Sequence, residues 1–366
     1  MANTTVLNTL EYLLRRRHAS RVEISRRLNL SRAALSGVVN QLISEELVRE
    51  SGTGDSNGGK PPVMLEINPG AFTVAAIDIG TSRLLRGMLC DASGKCLKTL
   101  ETVYDPEQLI DETCSFAQNL IGKKNISALG VALSGIVNIE QNTVIASANF
   151  PLAQSGIASI LSTYLAKPVI LGNRSRLAAE FEGIFGSACG EDNYIYVSLG
   201  KSVGSAVCIN GTLFNGTGGA AGEIRNFPCF CDGKRYSLEE LLSENNLLAQ
   251  TDSSSIEEMA EKWDSGEPES LKKMDDLIDI LADFFAFLSD FTDVHLLIPG
   301  GRFRRFGNTF HTRFHERFNA LSAKNHRSVR IIFPDSGEDA PLYGAAVSAI
   351  RHTFSNLKPN RKGFEK

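Results

Sequence analysis

Arg32, Ala33, Ser36 and Asn40 are spaced so that one helix would carry all four on its outward face, and their types suit the edges of DNA base pairs. A guanidinium at 32 can reach a guanine edge or a phosphate, and the methyl of Ala33 can meet the methyl of thymine. Ser31 stands where its hydroxyl would N-cap that helix. Small residues at 33, 34, 36 and 37 would let the helix approach a groove closely, although Gly37 costs up to about 1 kcal/mol of helix stability relative to alanine. Lys60, in Gly58-Gly59-Lys60-Pro61-Pro62, sits where the tip of a wing could touch phosphate or the minor groove. The competing reading of these residues is a small helical docking domain.

The elements that would position them are legible around the turn at Asn29-Leu30. Ile24, Leu28, Leu30, Leu35, Val38 and Leu42 recur at helical spacing and predict two short helices that bury one shared face. Residues 47–50 and 63–67 alternate as two strands of a wing, joined by a Gly/Ser-rich loop over 51–60. Residues 1–68 are therefore expected to form a winged helix-turn-helix, whose second helix would enter the major groove of double-stranded DNA.

Composition restricts the remainder. The chain has 366 residues, of which 42% are hydrophobic, enough for more than one packed core. No apolar run reaches membrane-spanning length, and the N-terminus lacks a signal-peptide core. Seven scattered cysteines predict reduced thiols in a cytoplasm rather than a disulfide framework. The net charge is −4, yet residues 1–60 hold 9 Arg/Lys against 6 Asp/Glu, so a cationic head precedes an anionic body.

The body begins after Asn68-Pro69-Gly70. Strands are expected at 72–79, 84–90, 96–103 and 128–133, with a helix over 106–121. Strands at 194–199 and 205–209, helices over 256–290 broken at Gly266-Glu267-Pro268, and a strand at 295–298 repeat that plan. Two α/β lobes around a cleft follow, spanning 71–175 and 176–366, with the last helix returning to the first lobe.

Ordered motifs along the chain carry a family resemblance. They are Asp78-Ile79-Gly80-Thr81-Ser82-Arg83, Gly130-Val131-Ala132-Leu133-Ser134-Gly135-Ile136-Val137-Asn138, and the block Asn215-Gly216-Thr217-Gly218-Gly219-Ala220-Ala221-Gly222-Glu223-Ile224, followed by Leu238-Glu239. Together with the head they resemble the transcriptional-regulator branch of the ROK family (repressors, open reading frames and sugar kinases). The resemblance implies an α/β fold: an N-terminal winged helix-turn-helix followed by a two-lobed, actin-like ATPase body of the sugar-kinase type. It also implies a sugar bound near the cleft.

Departures from the pattern bear on activity. Kinases of the family carry a Glu-Asn-Asp triplet whose last carboxylate takes the proton of the attacking hydroxyl; the matching residues are Gly172-Asn173-Arg174. A guanidinium stays protonated and cannot be that base. Thr81 replaces a glycine of the first nucleotide turn, and Ser202 replaces one in Gly200-Lys201-Ser202-Val203-Gly204. In Ile298-Pro299-Gly300-Gly301-Arg302 the proline removes an N–H donor. Lys201 is either a phosphate ligand or a solvated loop residue. Catalysis is expected to be lost, and no cofactor is assigned.

By the same resemblance Asn173, Arg174, Glu223, Asn226 and Glu239 would be the effector ligands. Arg174, with Arg176 or Arg225, either recognises an anionic sugar derivative or only pairs with Glu223 or Glu239. The family's structural zinc would use a histidine at 226, which is Asn226, and a third thiol at 237, which is Ser237. Cys229 and Cys231 alone make a poor zinc site, so no metal is expected. The expected partners are DNA, a sugar-type effector and a second copy of the chain. The alternatives are a sugar kinase with a fused DNA-binding head, and a regulator controlled by a protein partner. Repression relieved by a sugar is the family's usual behaviour.

Overall fold

A computed structural model describes residues 2–54, 61–80, 82–147, 152–153, 155–231, 233–324 and 328–357. They divide into two compact units, one made of the chain up to Gly172 together with Leu342 onward, the other of Asn173–Pro341.

The first unit opens with α1 (Ala2–Arg16), β1 (Ala19–Ser20), α2 (Arg21–Arg27), α3 (Arg32–Ser44), β2 (Val48–Thr53) and β3 (Val63–Ile67). Ser20 and Glu23 form a reciprocal capping box at the start of α2. Asn29, at φ 51°, adopts the left-handed turn between α2 and α3. The strands pair in the order β1-β3-β2. Ile24, Leu35, Val39 and Leu42 are buried, whereas Val38 is only half-buried. The core stripe of α3 thus runs 35, 39, 42, and the expected Val38 falls at its edge because the helix starts at Arg32. Helix α1 went unread in the sequence, although Leu10, Leu13 and Leu14 give it a buried stripe at helical spacing.

The same unit continues with β4 (Thr73–Ile79), β5 (Leu84–Asp91), β6 (Cys96–Val103), α4 (Leu109–Ile121), β7 (Leu129–Leu133), β8 (Ile136–Asn138), β9 (Thr143–Ala146), α5 (Ile157–Leu165) and β10 (Val169–Asn173). The five-stranded sheet has the order β10-β7-β4-β5-β6, with β4 antiparallel to β5 and parallel to β7. Strands β4 and β7 are almost wholly buried, which explains why their residues are apolar apart from Thr73 and Asp78. The last helix, counted as α12 after those of the second unit, spans Ala340–Ser355 and packs on β7. A Cβ at Gly130 would lie 1.9 Å from the Ala345 carbonyl oxygen, so only glycine permits that approach.

The second unit contains α6 (Arg174–Ile184), β11 (Tyr194–Leu199), β12 (Gly204–Ile209), β13 (Thr212–Leu213), β14 (Pro228–Cys231), β15 (Lys234–Ser237), α7 (Leu238–Leu242), α8 (Glu244–Gln250), α9 (Ile256–Ser265), α10 (Pro268–Thr292), β16 (Leu296–Gly301), α11 (Gly307–Lys324) and β17 (Arg330–Ile331). Its five-stranded sheet, β17-β16-β11-β12-β13, repeats the plan of the first. Phe303, Phe306, Phe310, Phe314 and Phe318 recur every three or four residues and are buried, with Trp263 stacked on Phe310. Burying each ring contributes roughly 1.5–3 kcal/mol, so this cluster anchors α9, α10 and α11 beside the sheet. Among the described residues no helix is long and apolar enough to cross a membrane.

Candidate functional site

Asn173 ends β10 and N-caps α6, its Oδ1 accepting from Ser175 N–H at 2.9 Å and Arg176 N–H at 3.2 Å. The cap fixes Arg174 as the first residue of the helix, within electrostatic reach of the buried Tyr196 phenol. Burial pushes that phenol's pKa up, as does Glu182, against hydrogen bonds to Ser198 and Gly301 and the charge of Arg174. Arg176 is buried and donates to the Ala221 and Phe214 carbonyls and to Asn215 Oδ1. Burial lowers its pKa, opposed by Glu180 and Glu223. Arg176 therefore braces the loop over 214–221, which is a different task from the anion contact expected of it.

Glu223 and Asn226 lie on the exposed side of the following segment. Arg225 Nε is 3.4 Å from Glu223 Oε2, an ion-pair distance outside hydrogen-bond geometry. Glu239 joins this segment through its backbone, donating to the Arg225 carbonyl at 3.0 Å. Its carboxylate turns elsewhere: Oε2 accepts from Val203 N–H at 2.7 Å and Ser202 Oγ at 3.0 Å. Gly204 sits against the first turn of α6, where a Cβ would lie 2.3 Å from Ser175 Oγ. Ser205 Oγ donates to the Gly222 carbonyl at 2.8 Å. These contacts gather the start of α6, the turn over 200–204 and the segment over 222–226 into one cluster that includes Glu239.

The turns resembling nucleotide loops are occupied by the protein's own side chains. Strands β11 and β16 run parallel, with Ser198 opposite Gly300 and Leu199 opposite Gly301, so two of these turns lie side by side at carboxyl ends of strands. Glu239 holds the first. At the second, Arg302 pairs with Glu244 and Glu338, and Glu244 N–H donates to the Gly200 carbonyl. A phosphate there would face two carboxylates and a backbone donor already taken. The third turn, in the first unit, keeps Asp78 buried and bonded to Arg86 Nη2 at 2.7 Å, while the Tyr104 hydroxyl donates to the Gly80 carbonyl; Thr81 lies outside the described residues. The residues at the two paired turns do not fit a nucleotide.

Nor do the residues at the zinc position fit zinc. Asn226 is exposed, Ser237 caps α7, and burial raises the pKa of the Cys229 thiol. Among the described residues no three metal-ligating side chains come together.

On the head, the Ser31 side chain accepts from Ala34 N–H at 3.2 Å and caps α3. Arg32, Ala33 and Asn40 are exposed and Ser36 is half-buried. Asn40 Oδ1 accepts from Arg21 Nη2 at 3.3 Å, and Arg21 also reaches Glu50. Lys60 lies outside the described residues. The roles of Arg21, Glu244 and Arg302 went unread in the sequence because no local motif marks them.

A family model described as the ROK family matches residues 74–352. The xylose repressor of Caldicellulosiruptor bescii is 28% identical over 270 residues, covering 68% of this chain and 67% of that protein. The chain thus spans about two thirds of that curated relative's length. A crystal structure of a ROK family transcriptional regulator, a homologue of the E. coli MLC protein, is similar with a TM-score of 0.77 and 18% identity, over 97% of this chain and 96% of that one. A ROK family glucokinase from Streptomyces griseus, in complex with glucose and AMPPNP, gives 0.67 and 20%, over 75% of this chain and 98% of that one. At these identities the two structures establish likeness of fold, and the first extends over the head as well as the body. With the family model covering most of the sequence, the chain belongs to the ROK family.

Proposed function

We propose that the chain is a sugar-responsive transcriptional repressor of carbohydrate-metabolism genes, with a winged helix-turn-helix head and a ROK body that senses an effector without turning over ATP. The observation that carries this reading is the combination of an exposed, Ser31-capped α3 with a ROK body that has Arg174 at the position of the kinase base. The name of the xylose repressor relative supports the same role. Loss of phosphoryl transfer is supported twice. Arg174 cannot accept the proton of a sugar hydroxyl, and the turn over 200–204 is held by Glu239.

The effector is a sugar or sugar derivative held by Asn173, Arg174, Glu223, Asn226 and Glu239. Arg174 favours one bearing a carboxylate or phosphate, since a guanidinium offers paired donors to such groups. The protein acts in the cytoplasm as a homodimer, which would set two copies of α3 against a pseudo-palindromic site. Exposed Phe287 and Phe291, continuous with the half-buried Phe227, offer an apolar face for the second copy.

Fluorescence anisotropy on DNA upstream of the gene, at fixed salt, tests the reading. Specific binding shifted by one pool among neutral sugars, sugar phosphates and sugar acids is expected. Specific binding indifferent to every pool would point to control by a protein partner. ATP consumption with any sugar would restore the kinase reading.

A further inference from the structure

Two of the seven cysteines stand opposite each other on neighbouring strands of the first unit's sheet. Strands β5 and β6 run antiparallel; Leu89 pairs with Lys98, and the next pair is Cys90 with Cys96, so Leu97 is an extra residue on β6. Without that bulge Cys90 would lie opposite Leu97. With it, two thiols are in register. Residues directly opposite in antiparallel strands share a face and have Cα atoms about 4.5–5.5 Å apart, within the roughly 4.4–6.8 Å that a disulfide bridges. Both cysteines are free thiols here. Cys90 is fully buried, whereas Cys96 is half-buried.

Their surroundings give the two sulfurs different tasks. Burial pushes the Cys90 thiol up to about 12, reinforced by the negative charges of Cys96 and Asp91. Cys90 is therefore a poor first nucleophile, and the more accessible Cys96 is the one an oxidant meets. Cys96 Sγ reaches the Lys98 carbonyl at 3.8 Å, a weak sulfur contact that a rotation about χ1 gives up at little cost. The turn between the two is well fixed: Asp91 Oδ1 accepts from Ser93 N–H, Ser93 Oγ and Lys95 N–H, and Asp91 N–H donates to the Lys95 carbonyl. That same turn touches the head and its link, since Arg17 Nη1 donates to the Ser93 carbonyl and Ala92 N–H to the Pro69 carbonyl.

We propose that Cys90 and Cys96 are a modification site, closed by a hydroperoxide into a reversible intramolecular disulfide. The Cys96 thiolate attacks the outer peroxide oxygen, the O–O bond breaks, and the leaving alkoxide takes up the proton that the thiol released. Cys96 is then a sulfenic acid. The Cys90 sulfur attacks the Cys96 sulfur, the S–S bond forms as S–O breaks, and the departing hydroxide leaves as water with the Cys90 proton. Two thiols lose two electrons and the peroxide gains them, so no further reactant is needed. A dithiol reductant reverses the step by exchange. In a reducing compartment such a disulfide is transient and sensing rather than structural. Closure pins the turn that contacts Arg17 and Pro69, and so shifts DNA affinity by whatever free energy distinguishes the head's arrangements. This coupling rests on the DNA-binding reading, whereas the disulfide does not.

The test is mass spectrometry of the full chain after hydrogen peroxide, denaturing alkylation and trypsin. Cleavage after Arg86, Lys95 and Lys98 puts Cys90 on the peptide 87–95 and Cys96 on the peptide 96–98, so the disulfide is read as these two joined. The joined species is expected as the main product in the monomer band of a non-reducing gel. Dithiothreitol and Cys96→Ser should each abolish it, and Cys229→Ser should leave it intact. Recovery of both cysteines alkylated, of Cys96 as sulfinic acid beside alkylated Cys90, or of Cys96 joined to any other cysteine overturns the proposal. Anisotropy on DNA upstream of the gene then reads the coupling. Oxidation is expected to shift the wild-type affinity by about fivefold or more and to leave Cys96→Ser unmoved. Equal affinities of reduced and oxidised wild type overturn the coupling alone. Failure of the reduced protein to bind specifically would instead count against the DNA-binding reading and leave the disulfide standing.

Discussion

The Glu239 carboxylate accepts the Val203 backbone N–H at 2.7 Å, so a residue expected to grip the effector also closes a turn of the sheet. An effector hydroxyl that draws on Glu239 must compete with that bond and with the one from Ser202. Glu239→Ala should lower unfolding free energy by about 1.5–3 kcal/mol, the range for hydrogen bonds to a charged group. Glu239→Gln keeps an acceptor and should lose less. Urea unfolding of both variants checks this; equal losses would mean that the side chain only fills space.

Arg174→Asp reverses the charge at the position of the family's catalytic base. The variant should lose an anionic-effector response by tenfold or more, since each charge-assisted bond contributes about 1.5–3 kcal/mol. It should not gain kinase activity, because Glu239 and Arg302 still occupy the two paired turns. Anisotropy with sugar acids and sugar phosphates, followed by an ATP-turnover assay, reads both outcomes. An unchanged response would remove Arg174 from the effector site.

Much of the scaffold was legible because its signals are local. The turn at Asp91-Ala92-Ser93-Gly94 predicts a strand at 96–103 and an apolar run predicts one at 194–199, and both are strands with those bounds. Helix α1 was missed although its leucines are periodic, since the polar Asn and Thr residues between them mask the stripe. Within the candidate site the identities of Asn173, Glu223 and Glu239 could be matched to a motif, but their partners could not. Glu239 meets Ser202 across 37 residues, and Arg302 meets Glu244 across 58. Such contacts arise from where α7 and α8 meet the turns that follow β11 and β16, which no spacing in the sequence encodes.

Arg32 and Ser31 are neighbours with different assignments, and their variants should separate binding from folding. Arg32 is exposed at the start of α3. Arg32→Ala should weaken operator-specific binding by about 1–3 kcal/mol, tenfold to a hundredfold, with an unchanged melting temperature. Ser31→Ala removes the cap on Ala34 N–H and should cost roughly 0.5–2 kcal/mol of stability. An Arg32→Ala protein with full specific affinity would refute its role as a base reader.

Glu182 predicts a pH dependence of stability. It is fully buried in the second unit, accepting from Ser187 N–H at 2.7 Å and from the Ser336 hydroxyl. Burial raises its carboxyl pKa, partly offset by bonds from Ser336 and Ser187 and reinforced by Asp335. Between the ordinary value of 4.5 and the raised native one, the folded state holds more of the proton than the unfolded chain does. Its contribution to stability is therefore complete below 4.5 and is lost as pH rises through the native value. A glutamine at 182 cannot ionise, yet its carbonyl can still accept from Ser187. The stability of Glu182→Gln relative to wild type should accordingly increase with pH across that window and then level off. Urea unfolding in steps from pH 4.5 to neutrality measures the difference directly. A constant difference would mean that Glu182 keeps an ordinary pKa despite its burial.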